Sequence, residues 1–108
     1  MSLETIKSIV EKKAKEFDVQ NFQEFDVEGK CTYTDLFLIM TGSSSTNIKA
    51  LTDKIVFECK HAGIPALSIE GSADGEWCLL DFGMVIVNIM NSEKRAHYKL
   101  ESIWDEMS

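Results

Sequence analysis

Leu3, Ile6, Val10, Ala14 and Phe17 recur at helical spacing with lysines and glutamates between them, which predicts an amphipathic helix over residues 3–16. The pattern then changes period. Phe25 and Val27 alternate with Glu24, Asp26 and Glu28, the signature of a half-exposed strand that ends at Gly29-Lys30. Leu36 to Met40 is continuously apolar, as expected of a strand covered on both faces. After Thr41-Gly42, the residues Ser43, Ser44, Ser45 and Thr46 offer several N-caps for a second helix. Its apolar stripe is Ile48, Leu51, Ile55, Cys59 and Ala62, and Gly63 and Pro65 stop it. Ala66 to Glu70 reads as a short third strand, followed by a small polar loop over residues 71–75. Two further strands, over residues 76–81 and 84–90, flank Asp81-Phe82-Gly83, and Asn91-Ser92 caps a short helix through Arg95 and Tyr98 toward Leu100 and Trp104.

The order helix, two strands, helix, three strands, helix predicts an α/β (α+β) domain, a mixed five-stranded sheet packed with helices. With one proline, no repeat and no low-complexity tract, residues 1–108 read as a single domain. A chain of this length buries roughly two-thirds of its unfolded surface, enough for one modest core.

Within the predicted hairpin, Phe82 stands beside the glycine of a tight turn, where side chains are ordinarily solvated. Phe82 is therefore expected to be exposed, and exposed aromatics mark binding surfaces more often than accidents. Trp77 on the preceding strand and Tyr98 on the following helix join it if that helix folds back beside the hairpin. Rings near the centre of an interface carry much of its energy, each about 2 kcal/mol or more. Taken singly, Trp77 and Tyr98 read as core; Phe82 at a turn is what tilts the set toward an interface.

Charge narrows the choice of partner. Eleven basic against eighteen acidic residues give a net charge of −7, which repels phosphate backbones unless the basic residues cluster. The lysines are spread along the chain and Arg95 is the only arginine, so direct nucleic-acid readout is not expected, whereas a basic protein partner is compatible. Cys31, Cys59 and Cys78 are odd in number and form no C-x-x-C pair, which argues against a disulfide framework or a zinc site. Reduced thiols, no apolar run of ~18 residues and no targeting pattern together predict a cytoplasmic protein that does not enter a membrane.

Several motifs admit a chemical reading. Gly42-Ser43 between a buried strand and a helix resembles a phosphate-cradling loop, but it lacks the glycines and lysine of a P-loop. A strand, Gly-Ser and a helix also suggest a nucleotidyltransferase, whose carboxylate pair would stand on the next strand. That strand offers only Glu70, and two-metal chemistry needs several carboxylates. A nucleotide-binding or nucleotidyltransferase-like enzyme using the Gly42-Ser43 loop, with Glu70 or Asp81 on magnesium, is the alternative reading. Asp81-Phe82-Gly83 spells the kinase magnesium motif without any of its companions. His61 and His97 fall on polar helices without local ligand spacing, so neither a catalytic residue, a metal nor a cofactor is expected.

The segments TDLFLIMTGSSSTNIKALTDKI, AGIPALSIEG, GEWCLLDFGMVIVNIM and AHYKLESIW, in that order and spacing, resemble the ribosomal silencing factor family, also called Iojap-like proteins. The similarity runs from about Phe25 to Trp104. It implies a nucleotidyltransferase-like topology without an active site, and a cytosolic, non-enzymatic repressor of translation. Such a repressor docks on the large ribosomal subunit through its fourteenth ribosomal protein and blocks joining with the small subunit when nutrients fail. Carried over residue by residue, Trp77 matches the family's tryptophan, Phe82 stands at its apolar hairpin-tip position and Tyr98 matches its tyrosine. The resemblance implies these three as the docking surface, with Leu79 and Asp81 beside them in the hairpin. Met84 and Asn88 depart from the family's frequent aspartate and histidine. A homodimer formed through the same hairpin is a further expectation for the free protein.

Overall fold

The computed structural model describes residues 2–29, 32, 34–71 and 75–98. Its elements run α1 (Ser2–Glu16), β1 (Gln20–Asp26), β2 (Leu36–Thr41), α2 (Ser45–His61), β3 (Ser68–Glu70), β4 (Trp77–Asp81), β5 (Val85–Met90) and α3 (Ser92–Tyr98). The five strands form one sheet in the order β1-β2-β5-β4-β3. β2 and β5 pair in parallel at its centre and the other neighbours are antiparallel, so the sheet is mixed and the domain is α+β, as the element order predicts.

Burial follows the sequence pattern at the centre and departs from it at the edges. All six residues of β2 and all six of β5 are buried: helices cover one face of these strands, and on the other their own side chains gather into a second apolar cluster with Val27. On the first face Ile6, Val10 and Ala14 of α1 meet Ile48, Leu51, Ile55 and Cys59 of α2 over Leu36, Leu38, Met40, Cys78, Leu80, Val85, Val87 and Ile89. The second face gathers Val27, Phe37, Ile39, Ile86 and Met90, with Phe25, Trp77 and Leu79 half-buried at its rim.

The serine run caps α2 as expected: Ser44 is the N-cap and its hydroxyl accepts from the Asn47 N–H at 3.0 Å. Gly63 follows the helix with φ +84°, the left-handed position that glycine fills most easily. The expected stripe needs one correction. Ala62 lies beyond the last helical turn and is exposed, while Thr52 takes a buried place in the stripe instead. β3 is shorter than expected, beginning at Ser68 rather than Ala66, and β1 begins earlier, at Gln20. Leu100, Trp104 and Cys31 lie outside the described residues.

Phe82 overturns its expectation of exposure. It is 5% exposed and belongs to the cluster under the helices. Cys78, Leu80 and Phe82 alternate along β4 and its extension, so all three point to the helix-covered face. The turn lies one step later. Phe82 N–H donates to the Val85 carbonyl at 2.9 Å, which leaves Gly83, at φ +86°, and the exposed Met84 to form the tip.

Candidate functional site

The register of β4 and β5 decides which side chains share the second face. Leu79 stands opposite Asn88 and Trp77 opposite Met90, and the parallel pairing places Asn88 beside Ile39. Trp77, Leu79, Asn88, Met90, Ile39, Phe37 and Phe25 thus form one continuous surface. Phe25 and Phe37 tilt against each other with ring centroids 6.3 Å apart.

At its centre the Trp77 Nε1–H donates to the Asn88 Oδ1 at 2.8 Å. Asn88 is 1% exposed, and its Nδ2 is buried without a hydrogen-bond partner among the described residues. An amide at this point in an apolar strand therefore serves the indole: Asn88 fixes the ring's angle at the rim, leaving part of its surface to solvent. Trp77 is both core and surface, its polar edge anchored below and its body half-buried.

A concavity of about 380 Å³ opens beside the indole, lined by Glu70, Gly71, Glu76, Trp77, Leu79 and Lys94. Glu70 is opposite Leu79 in the β3–β4 register and therefore on the same face. Lys94 of α3 reaches Glu76 at 3.7 Å. Gly71 closes the floor, since a Cβ there would lie 1.8 Å from the Trp77 carbonyl oxygen, and its φ is +79°. A larger hollow of about 750 Å³ beside α1, lined by Glu11, Lys12, Lys15 and Asp18 among others, gathers mixed surface charges and no aromatic ring but Phe22.

Asp81 has a local task. Its Oδ1 accepts from the Gly83 N–H at 2.8 Å, which holds the hairpin turn. The expected docking residues are thus separated: Trp77 and Leu79 share the second face, Asp81 braces the turn, and Phe82 lies beneath the sheet. Tyr98 ends α3, and its side chain lies outside the described residues.

Arg95 was not singled out for a role by its sequence context, and it is 6% exposed. Its guanidinium donates to the Asn21 carbonyl, to Thr41 Oγ1 at 3.1 Å and to Gln23 Oε1 at 3.0 Å. One residue of α3 thereby seals the bulge between Gln20 and Gln23 of β1, where Asn21 adopts φ +50°.

The Gly42-Ser43 loop is occupied by its own fold. Gly42 N–H donates to the Met90 carbonyl at 2.9 Å and Ser43 N–H to Asn47 Oδ1 at 3.4 Å. A Cβ on Gly42 would lie 2.3 Å from Ile48 Cγ1, so the glycine is explained by close helix packing. Among the described residues, no three His, Cys, Asp or Glu side chains converge as a metal site would need, and no helix is long and apolar enough to cross a membrane.

Comparison with known proteins matches residues 2–108 to the family model described as ribosomal silencing factor during starvation. A ribosomal silencing factor from Haemophilus influenzae is 41% identical over 80 residues, covering 74% of this chain and 78% of its own. The mouse protein named for mitochondrial assembly of the ribosomal large subunit is 35% identical over 75 residues, covering 67% of this chain and 33% of its own. A crystal structure of a protein from Chromobacterium violaceum superposes with a TM-score of 0.91 at 27% identity, covering 97% of this chain and 88% of that one.

Proposed function

The chain belongs to the ribosomal silencing factor family, and from that membership we propose that it represses translation in the cytoplasm as a binding module rather than an enzyme. The partner is the large ribosomal subunit, engaged through its fourteenth ribosomal protein. The mechanism is steric: the bound domain occupies ground that the small subunit must approach, and so lowers protein synthesis when nutrients are scarce.

The observation that carries this reading is the rim of the second face, where Trp77 and Leu79 are half-buried beside a concavity edged by Glu70 and Glu76. Half-exposed aromatic and aliphatic side chains on a rigid strand are good anchors, because little conformational freedom is lost when a partner covers them. Charge favours the same partner. A chain of net charge −7 is steered toward a basic protein and away from the RNA around it. Tyr98, at the end of α3, belongs to the proposed surface by its family position. Phe82 supports it from beneath as core rather than as contact.

Co-sedimentation with purified large subunits tests the surface, using Trp77→Ala and Leu79→Arg variants whose circular dichroism confirms folding. Both should be lost from the subunit fraction, and folded variants that sediment undiminished refute the site. Light scattering of mixed subunits tests the mechanism. The wild-type chain should suppress joining, and unimpeded joining with the chain bound refutes steric exclusion.

A further inference from the structure

The two edges of the sheet are built differently. β1 is closed to pairing in three ways: its ladder is broken by a bulge between Gln20 and Gln23, Arg95 holds that bulge from within, and Glu24 along the strand is ion-paired to Lys7 at 2.8 Å. These are the ordinary devices that keep an edge strand from recruiting another chain. β3 at the opposite edge is short and carries one charge, Glu70, but among the described residues it has no bulge, no buried arginine holding it and no ion pair. Its three residues are all exposed, it carries no lysine or proline within Ser68–Glu70, and Ile69 and the preceding Leu67 are 44% and 72% exposed.

We infer that the β3 edge receives an extended, basic segment of the protein partner as a sixth strand of the sheet. This rests on the docking reading above and names how the partner engages that surface. Strand addition supplies affinity through main-chain hydrogen bonds and specificity through alternate side chains. The alternation here is legible. Ile69 stands opposite Leu80, on the helix-covered side, whereas Glu70 stands opposite Leu79, on the Trp77 side. An incoming strand would lay an apolar side chain beside Ile69 and, on the other side, a basic one beside Glu70 and toward Glu76. The concavity lined by Glu70, Glu76, Trp77 and Lys94 is continuous with that edge. Lys94 already pairs with Glu76 there at 3.7 Å, so a lysine or arginine entering it meets Glu70 beside Trp77. A second copy of the chain is disfavoured as occupant, because each copy carries a net charge of −7.

Amide hydrogen exchange on the isotope-labelled full chain, free and bound to purified fourteenth ribosomal protein of the large subunit, provides the test. Amides of residues 68–70 that exchange rapidly in the free chain should slow by on the order of tenfold or more in the complex. Glu70→Lys should weaken binding on the order of tenfold at low salt, with the difference shrinking as salt rises. Binding through Trp77 with unchanged exchange at residues 68–70 overturns the sixth strand while leaving the docking reading standing. Absence of any binding refutes both. Protection of residues 68–70 that rises with chain concentration alone assigns the edge to a second copy and overturns a basic partner segment.

Discussion

Replacing Trp77 by phenylalanine keeps a ring at the rim of the second face but removes the one donor that Asn88 Oδ1 accepts among the described residues. Asn88 is 1% exposed and its Nδ2 has no partner among the described residues, so among these residues the variant leaves the whole amide buried and unsatisfied. Stranding such a group costs about 1–3 kcal/mol, whereas replacing both members of a hydrogen-bonded pair by apolar groups is close to neutral. For 108 residues the unfolding entropy is roughly 0.23 kcal/mol/K, which converts the penalty to a melting-temperature loss of about 4–13 °C. Thermal unfolding followed by circular dichroism should therefore rank Trp77→Phe below both the wild type and the double variant Trp77→Phe/Asn88→Leu. The double variant should recover most of the loss, a non-additivity that a double-mutant cycle reads directly. Equal melting temperatures for Trp77→Phe and wild type, or a double variant as unstable as the sum of the singles, would refute the assignment of Asn88 as the indole's anchor.

Three further outcomes follow from other positions. Phe82→Ala should cost about 3–5 kcal/mol in urea unfolding, because Phe82 lies in the core under α1 and α2; a loss below about 1 kcal/mol, the behaviour of a surface residue, would contradict its placement. Gly71→Ala should destabilise the domain by about 2 kcal/mol or more and shift Trp77 fluorescence, since its Cβ would collide with the Trp77 carbonyl, while Gly29→Ala, which meets open space at φ +81°, should cost about 1 kcal/mol with unchanged fluorescence. Burial pushes the Cys59 thiol from its ordinary 9.0 up to about 11, so the unfolded chain loses this proton first and stability should fall as pH rises from about 9 through about 11; melting temperatures across that range should decline less steeply in Cys59→Ala.

The central strands and both long helices are legible because their patterns are unambiguous: a five-residue apolar run for β2, and apolar residues at helical spacing with a serine cap for α2. Phe82 departs from its expected exposure because the Asp-Phe-Gly triplet has the composition of a turn while only its glycine lies in one. The competing signal was present, since Cys78, Leu80 and Phe82 alternate in phase with the core and Trp77, Leu79 and Asp81 in phase with the other face. Reading the period through the glycine places the tip at Gly83-Met84. Asn88 looked like a departure from a family pattern, and its place inside an apolar strand carried no hint of its partner. Only the antiparallel register, which sets Leu79 opposite Asn88 and so puts Trp77 on the diagonal, reveals the bond. Arg95 was equally hidden, because its acceptors on β1 and β2 lie 54 to 74 residues earlier in the chain. Such contacts between distant segments leave no local periodicity behind.

The parallel pairing of β2 with β5 also governs how the molecule comes into being. β2 ends at Thr41 and β5 at Met90, so during synthesis the most apolar strand of the chain waits for its central neighbour to be made. At ordinary elongation speeds the wait is about 2–10 s, far longer than a hairpin needs to form. Until β5 emerges, β2 can pair only with β1, leaving its inner edge open. The nascent chain therefore passes through an interval in which its future core is its most adhesive part, and folding closes in one late step when residues 85–90 arrive.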